Sequence, residues 1–333
     1  MIAGYSGGLP GWVVIIAVAI AGLILFNHFW LKIPVFPYDR VLSAVSEDGR
    51  IWKKEAGIRI DVGGKSRAAQ VYSPHVVAIE LGYRMYYRSG SHASVIASAV
   101  SIDGIDWEAE AGERVGLGGP LNLGRVEGPF FLQVPDDDAR LYYSGFGPLG
   151  WSIYCRTSKD GIDWHGERQW SLSAKHGIAG QAKSPCILIR DGDFRIYCEI
   201  NSGSVSEIWT AVSADGFHWC DLRRCEGLAE SSARVGFPFV IEQADGTLRM
   251  YHDESLSSTI LGTQISTAVS PDGVGWTTEG TVIEPGGLYD RCGAFGGKAI
   301  ACPEGFRLYY GGFWERHWSQ PHTLWTYRSR PTT

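Results

Sequence analysis

The stretch Ser158-Lys-Asp-Gly-Ile-Asp-Trp164 decides the fold, because it returns four more times. The other copies are Ser46-Glu-Asp-Gly-Arg-Ile-Trp52, Ser101-Ile-Asp-Gly-Ile-Asp-Trp107, Ser213-Ala-Asp-Gly-Phe-His-Trp219 and Ser270-Pro-Asp-Gly-Val-Gly-Trp276. Their serines stand 55, 57, 55 and 57 residues apart. A fixed period of that length marks a repeat architecture, in which each unit is one supersecondary element. Asp-Gly is a tight-turn pair: Gly supplies the positive φ and the Asp side chain accepts from the turn backbone. A β-branched or aromatic run precedes each copy, as in Val95-Ile-Ala-Ser-Ala-Val. The phrase therefore reads as strand, turn, strand. Its Trp sits at the start of the return strand, where a large ring can fill the space between neighbouring sheets.

Working outward, each phrase has two further strands before it. The first carries a Pro in four copies: Ser73-Pro-His-Val-Val-Ala-Ile, Gly128-Pro-Phe-Phe-Leu, Ser184-Pro-Cys-Ile-Leu-Ile and Phe237-Pro-Phe-Val-Ile. The fifth copy, Gly296-Gly-Lys-Ala-Ile-Ala, has Gly297 in its place. The second strand is aromatic: Arg84-Met-Tyr-Tyr, Arg140-Leu-Tyr-Tyr, Arg195-Ile-Tyr-Cys, Arg249-Met-Tyr-His and Arg307-Leu-Tyr-Tyr. Five units of four antiparallel strands predict an all-β, five-bladed β-propeller over residues 41–330. The first phrase has no inner strands before it. The last copy of the third strand, Thr323-Leu-Trp-Thr-Tyr-Arg, has no phrase after it. The N-terminal segment is thus expected to supply outer strand material to the fifth blade and close the ring.

Composition agrees. The 333 residues include 43 Gly, 13 Trp, 15 Tyr and 13 Phe, which suits short strands, glycine turns and an aromatic core. The net charge is −6, and no basic stripe interleaves with aromatics, so nucleic acid is not an expected partner. The seven cysteines are odd in number and lack CxxC spacing, which predicts buried free thiols rather than a disulfide framework or a zinc site. No metal or cofactor is expected.

Residues 1–31 carry no charged side chain, and Trp12 to Phe26 is almost purely apolar. Eighteen steps from Trp12 to Trp30, at about 1.5 Å each, span roughly 27 Å, close to the hydrocarbon thickness of a bilayer. Aromatics at both ends fit interfacial belts. This predicts an N-terminal transmembrane helix at about residues 11–30, followed by a short linker at 32–40. A cleaved signal peptide is the alternative, but no Lys or Arg precedes the apolar run. Lys32, Arg40, Arg50, Lys53 and Lys54 follow it, which favours a cytoplasmic propeller on a single-pass membrane protein.

Chemistry is expected where inner strands crowd the axis, because a ligand meets several blades there. Aligned on the Pro, the residues two before it are Tyr72, Glu127, Lys183, Gly236 and Phe295. One before it stand Ser73, Gly128, Ser184, Phe237 and Gly296; four before it, Gln70, Arg125, Gln181, Arg234 and Gly293. These columns vary in chemistry while the flanking strands do not, as an asymmetric site requires.

The repeated phrase, with Glu127-Gly128-Pro129 and Leu141-Tyr142-Tyr143-Ser144-Gly145, resembles the five-bladed glycoside hydrolases of families 43 and 32, the arabinanase, invertase and levansucrase types. The resemblance covers residues 41–330 and implies a carbohydrate substrate, with Glu127 as general acid. A second carboxylate is required across the sugar. The family's Asp before the inner-strand Pro is missing, since Ser73 and Ser184 stand there, and the Asn-Asp-Pro motif of family 32 is also absent. Candidates for the second carboxylate are Asp253 and Glu254, after the fourth Arg-Met-Tyr-His, and Asp290 in the loop before the fifth inner strand. Glu199 holds the matching place in the third unit. Arg125, Arg234 and Arg291 are candidates for binding an anionic group. Tyr72, Ser73, Gln181, Lys183 and Glu199 complete the expected substrate-binding set. Tyr72, Phe237, Tyr289 and Trp314 are candidates for stacking on a sugar, while His75 and His252 read as packed side chains. The other reading is a carbohydrate-binding propeller without catalysis, held at a membrane.

Overall fold

A computed structural model describes residues 38–62, 70–90, 93–116, 124–148, 150–170, 180–202, 205–228, 232, 234–255 and 262–314. The expected anchor at 1–31 and the strand copy at 323–328 lie outside these residues. Among the described residues no helix is long and apolar enough to cross a membrane.

The chain opens with strands β1 (Tyr38–Ser46) and β2 (Lys53–Lys54). A first meander follows: β3 (Gln70–Ile79), β4 (Gly82–Gly90), β5 (Ser94–Ser101) and β6 (Glu108–Ala109). The second is β7 (Val126–Leu132), β8 (Ala139–Gly147), β9 (Gly150–Ser158) and β10 (His165–Trp170). The third is β11 (Gln181–Arg190), β12 (Asp193–Ser202), β13 (Val205–Ser213) and β14 (Cys220–Arg224). The fourth is β15 (Arg234–Glu242), β16 (Leu248–Ser255), β17 (Gln264–Ser270) and β18 (Thr277–Ile283). Last come β19 (Gly293–Cys302) and β20 (Gly305–Trp314).

The fifth meander is completed from the other end of the chain. β20 pairs antiparallel with β1 from Tyr38↔Trp314 to Ser46↔Phe306, and β2 pairs with β1. The N-terminal segment thus supplies the two outer strands beside β19 and β20, as expected. The strand begins at Tyr38, so the last three residues of the expected linker belong to the sheet. Asp39 and Arg40 are buried there, opposite Phe313 and Gly312.

The repeated phrase is a hydrogen-bonded turn in every copy. In one, Ser158 Oγ donates to Asp160 Oδ1 at 2.9 Å, and Gly161 N donates to Ser158 Oγ at 2.9 Å. Ile162 N and Asp163 N both donate to Asp160 Oδ1. Gly161 holds φ at 71°, a left-handed value that favours glycine. Each phrase is also clamped from the neighbouring meander. Tyr86 O–H donates to the Gly161 carbonyl, Tyr142 to Gly216, Tyr251 to Gly49 and Tyr309 to Gly104. The matching Arg reaches the preceding Asp carbonyl: Arg84 to Asp160, Arg140 to Asp215, Arg195 to Asp272 and Arg307 to Asp103.

The five Trp rings meet the same tyrosines edge-on, with centroids 5.7 to 6.5 Å apart: Trp52–Tyr251, Trp107–Tyr309, Trp164–Tyr86, Trp219–Tyr142 and Trp276–Tyr197. This is the favoured edge-to-face aromatic geometry. It shows why the Arg-x-Tyr and Ser-x-Asp-Gly-x-x-Trp motifs recur together: each is half of one joint between sheets. Cys155, Cys186, Cys198 and Cys225 are buried free thiols, while Cys220 is an exposed one.

Candidate functional site

The five inner strands share one irregularity. Each carries a register shift at its start: Tyr72/His75, Glu127/Phe130, Lys183/Cys186, Gly236/Phe239 and Phe295/Lys298. At each bulge the residue before the Pro position is left-handed: Ser73 at φ 51°, Gly128 at 62°, Ser184 at 55°, Phe237 at 48° and Gly296 at 66°. A bulge bends the strand and re-aims the side chains beside it. Two neighbouring bulges nearly touch: a β-carbon on Gly128 would stand 3.4 Å from Ser184 Cα. Three of the five are non-glycine residues in a conformation that costs of order 1 kcal/mol or more.

The residues two before the Pro position pair with a second variable column on the next strand. Tyr72 faces Arg88, Glu127 faces Ser144, Lys183 faces Glu199, Gly236 faces Asp253, and Phe295 faces Gly311. Contacts gather the first column at one end of the inner strands, the mouth: Tyr72 meets Glu127 and Phe295, and Phe237 meets Phe295 and Lys183. The carboxylates absent from the Ser73 and Ser184 positions are thus supplied one strand further out, by Glu199 and Asp253.

Glu127 is 7% exposed and accepts a 2.9 Å hydrogen bond from the Tyr72 hydroxyl. Burial pushes the Tyr72 phenol well up, and the Glu127 carboxylate pushes it further, so the phenol keeps its proton and donates. Tyr72 also stands edge-on to Phe295 and beneath the Arg88 guanidinium, 4.5 Å from its ring centre.

Glu199 is fully buried and fully engaged. Ser206 Oγ donates to it at 2.6 Å, Arg234 approaches both its oxygens at 3.4 Å, and Lys183 Nζ lies 3.4 Å away. Burial opposes its charge, but Arg234 and Lys183 overcome burial and hold its pKa at about 2. Asp253 behaves oppositely. Its Oδ1 accepts from Gly296 N at 2.8 Å, while Oδ2 is buried without a hydrogen bond. Burial holds this carboxyl well above the usual carboxylate range, although Arg234 pulls it down. Arg234 is itself opposed by burial, and the Glu199 carboxylate is the chief group that holds its proton in place. Among the described residues its Nη1 has no hydrogen-bond partner, and neither do the buried Ser73 and Ser184 hydroxyls.

Beneath the mouth, the residues after the Pro position form an axial layer of His75, Phe130, Cys186, Phe239 and Lys298. The His75 and Phe130 rings lie 4.4 Å apart, tilted by 42°, and Phe239 lies 6.1 Å from His75. His75 Nδ1 accepts from Phe131 N. Lys298 reaches across from the fifth meander to donate to the Pro129 carbonyl at 2.5 Å.

Other expected site residues are used elsewhere. Glu254 faces the other side of its strand and pairs with His252 Nε2 at 2.9 Å, because alternate residues of a strand point to opposite faces. Asp290 is a loop staple: its oxygens take Gly287 N at 2.6 Å, Lys54 Nζ at 2.5 Å and the Tyr310 hydroxyl at 3.0 Å. Gln181 accepts from Trp151 N and so braces the β8–β9 hairpin. Arg125 is exposed and lies over the Phe146 and Trp151 rings, and Arg291 is exposed. Two side chains of the mouth escape the sequence reading. Arg88 belongs to the variable second-strand column, which alignment of the Arg-x-Tyr motifs would have exposed. Asp39 falls in the expected linker; it accepts from Gln70 Nε2 at 2.9 Å, and burial raises its carboxyl to about 7. No cluster of His, Cys, Asp and Glu suited to a metal ion is present among the described residues.

No protein-family model and no curated protein matches the chain. Solved structures do. A thermostable family-43 glycoside hydrolase is 16% identical, covering 72% of this chain and 88% of its own, with a TM-score of 0.54. An endo-1,4-β-xylanase from Bacteroides thetaiotaomicron is also 16% identical, covering 72% and 83%, at 0.55. An exo-1,5-α-L-arabinanase from a bovine ruminal metagenomic library is 13% identical, covering 72% and 92%, at 0.52. At these identities the likeness is one of fold: the chain carries the all-β fold of the propeller glycoside hydrolases.

Proposed function

We propose that the five meanders are the blades of a five-bladed propeller, and that its mouth hydrolyses a glycoside through Glu127 and Asp253. The observation that carries this reading is the contrast between carboxyl groups gathered around Arg234. Glycoside hydrolysis needs one carboxyl that holds a proton and one that is ionised. The family resemblance puts the acid on Glu127. The surroundings favour the reverse division of labour. Burial keeps the proton on Asp253, whereas Glu127 accepts a hydrogen bond from the Tyr72 hydroxyl. Asp253 then protonates the leaving oxygen, and Glu127 attacks the anomeric carbon or activates water. Glu199, neutralised by Arg234 and Lys183, positions those two cations. The arabinan and xylan named for the similar structures are the first substrates to try. A membrane tether through residues 1–31 remains part of the proposal and rests on their charge-free, apolar sequence.

The test is a panel of arabino-, xylo- and manno-oligosaccharides with the wild type, Glu127→Gln and Asp253→Asn. Both variants should lower turnover by about 10³-fold, the range for loss of a general acid or base, with unfolding midpoints little changed. Full activity in either variant removes that residue from the chemistry. A second reading, a sugar-binding mouth without hydrolysis, is favoured by the deep burial of Asp253 and Glu199. Saturable binding with no turnover of any panel member decides for it.

A further inference from the structure

Four meanders carry a glutamate three residues after the phrase Trp: Glu55, Glu110, Glu167 and Glu279. In two of them it makes the same three contacts. Glu110 takes Arg84 Nε at 2.9 Å and Nη2 at 3.1 Å, and Ser98 Oγ at 2.7 Å. Glu55 takes Arg307 Nε at 3.0 Å and Nη2 at 3.3 Å, and Ser43 Oγ at 2.7 Å. In the fourth meander Glu279 meets Arg249, whose Nη1 also donates to Thr267. A bidentate Arg–carboxylate pair with an added hydroxyl is among the stronger protein hydrogen-bond arrangements. In the second meander Glu167 serves Arg156 and Tyr143 instead.

The third meander keeps the receptor and lacks the carboxylate. Arg195 stands at the position of Arg84, and Thr210, opposite Tyr197, stands at the position of Ser98. The residue three after Trp219 is Leu222, which packs against the core. The residue paired with Thr210 is Arg223. Among the described residues no acidic side chain bonds to Arg195, which donates to the Asp272 carbonyl at 3.2 Å. The Thr210 hydroxyl is buried without a partner. A pocket of about 160 Å³ opens at this place, lined by Arg195, Thr210, Arg223, Asp221, Val212 and Val274. Asp221 is held by Arg223 at 2.8 Å.

We propose that this pocket binds the carboxylate of a small organic or sugar acid, in the place a glutamate side chain fills in the sister meanders. The sisters are its template: two guanidinium N–H groups and one hydroxyl converge on one carboxylate, and Arg223 adds a second cation. The site lies among outer strands and is independent of the axial mouth, so it stands or falls without the hydrolase reading.

The experiment titrates the whole chain with sodium acetate, sodium galacturonate, galactose and sodium sulfate, followed by calorimetry and by the unfolding midpoint. Saturable one-site binding of a carboxylate, with no response to galactose, is expected. A tighter response to galacturonate identifies a sugar acid as the source, and an equal response to acetate identifies a simple organic acid. Thr210→Val should weaken binding about 10-fold, the worth of one charge-assisted hydrogen bond. Arg223→Glu places a carboxylate opposite Thr210; it should abolish the response and raise the midpoint by about 2–4 °C. No carboxylate response, a response to sulfate alone, or full binding in Arg223→Glu overturns the proposal.

Discussion

Glu199 of the third blade fills the space that Gly236 of the fourth leaves open. A β-carbon at Gly236 would collide with both carboxylate oxygens of Glu199, which are fixed by Ser206, Arg234 and Lys183. The glycine is there for volume, since its backbone is ordinary strand. Gly236→Ala should therefore cost about 1–3 kcal/mol, as overpacking in a dense interior does. In a Glu199→Ala background the same change should cost close to nothing, because the colliding group is gone. A double-mutant cycle by denaturant unfolding measures the difference; additive costs would mean that the two residues do not share the space.

The joints between blades predict an uneven series. Tyr86, Tyr142, Tyr251 and Tyr309 each donate to a glycine carbonyl of the neighbouring phrase. The Gly49 and Gly104 carbonyls also accept from Trp52 and Trp107 Nε1 at 3.1 Å. Tyr→Phe should therefore cost about 1–3 kcal/mol at Tyr86 and Tyr142, and about 0.5–1.5 kcal/mol at Tyr251 and Tyr309. Among the described residues the Tyr197 hydroxyl donates to no glycine carbonyl, so Tyr197→Phe should be neutral within about 0.5 kcal/mol. Equal losses at all five, read as shifts in the urea midpoint, would contradict this view of the joint.

Acid stability should report Glu199. Its folded pKa of about 2 lies below the ordinary 4.5, so it binds fewer protons folded than unfolded over that interval. Its contribution is whole above pH 4.5 and is lost as pH falls toward 2. Glu199→Gln strands the buried Arg234 and the half-buried Lys183, and should cost about 3–5 kcal/mol at neutral pH. The gap to the wild type should narrow between pH 4.5 and 2 in a series of unfolding curves. A gap that stays constant across the window would assign the loss to packing.

The fold was legible because its determinants are local and repeated. Ser-x-Asp-Gly-x-x-Trp makes the same turn five times, and Arg-x-Tyr grips it from next door, so period alone fixes the strand count per unit. The pairing of β1 with β20 followed from an unmatched first phrase. The mouth was half legible. Glu127 and Lys183 sit in the column beside the Pro, which sequence alignment finds. Asp253 and Glu199 were named among several acids, but only cross-strand pairing separates Asp253 from Glu254. One residue along a strand reverses the face, and nothing in composition says which face meets the axis. Asp39 was hidden because it lies in the expected linker and its strand pairs with β20 at the far end of the described chain. The missing glutamate of the third blade was visible in the sequence as Leu222, but its meaning depended on seeing Arg195 and Thr210 left facing each other.

Lys298 gives the sharpest pH prediction. Its ammonium lies in the axial layer with His75, Phe130 and Phe239, and its one hydrogen bond crosses the axis to the Pro129 carbonyl. Burial among these rings lowers its pKa to about 7 from an ordinary 10.5. Between those values the unfolded chain holds the proton and the folded chain releases it. Stability should therefore rise with pH from 7 to 10.5 on account of this group, and the cost of burying the charge is fully present below 7. At about 1.4 kcal/mol per unit, the swing is at most roughly 5 kcal/mol. Lys298→Met keeps the length of the chain and removes the charge. It should stabilise the protein at pH 6, flatten the alkaline rise, and cost the Pro129 contact. That carbonyl is two residues from Glu127, so the same variant should also lower turnover if the crossing bond holds the bulge that presents the carboxylate. Unfolding curves at pH 6 and pH 10 separate the two effects: a variant equally destabilised at both values would show that Lys298 serves the axis through its hydrogen bond and packing rather than through its charge.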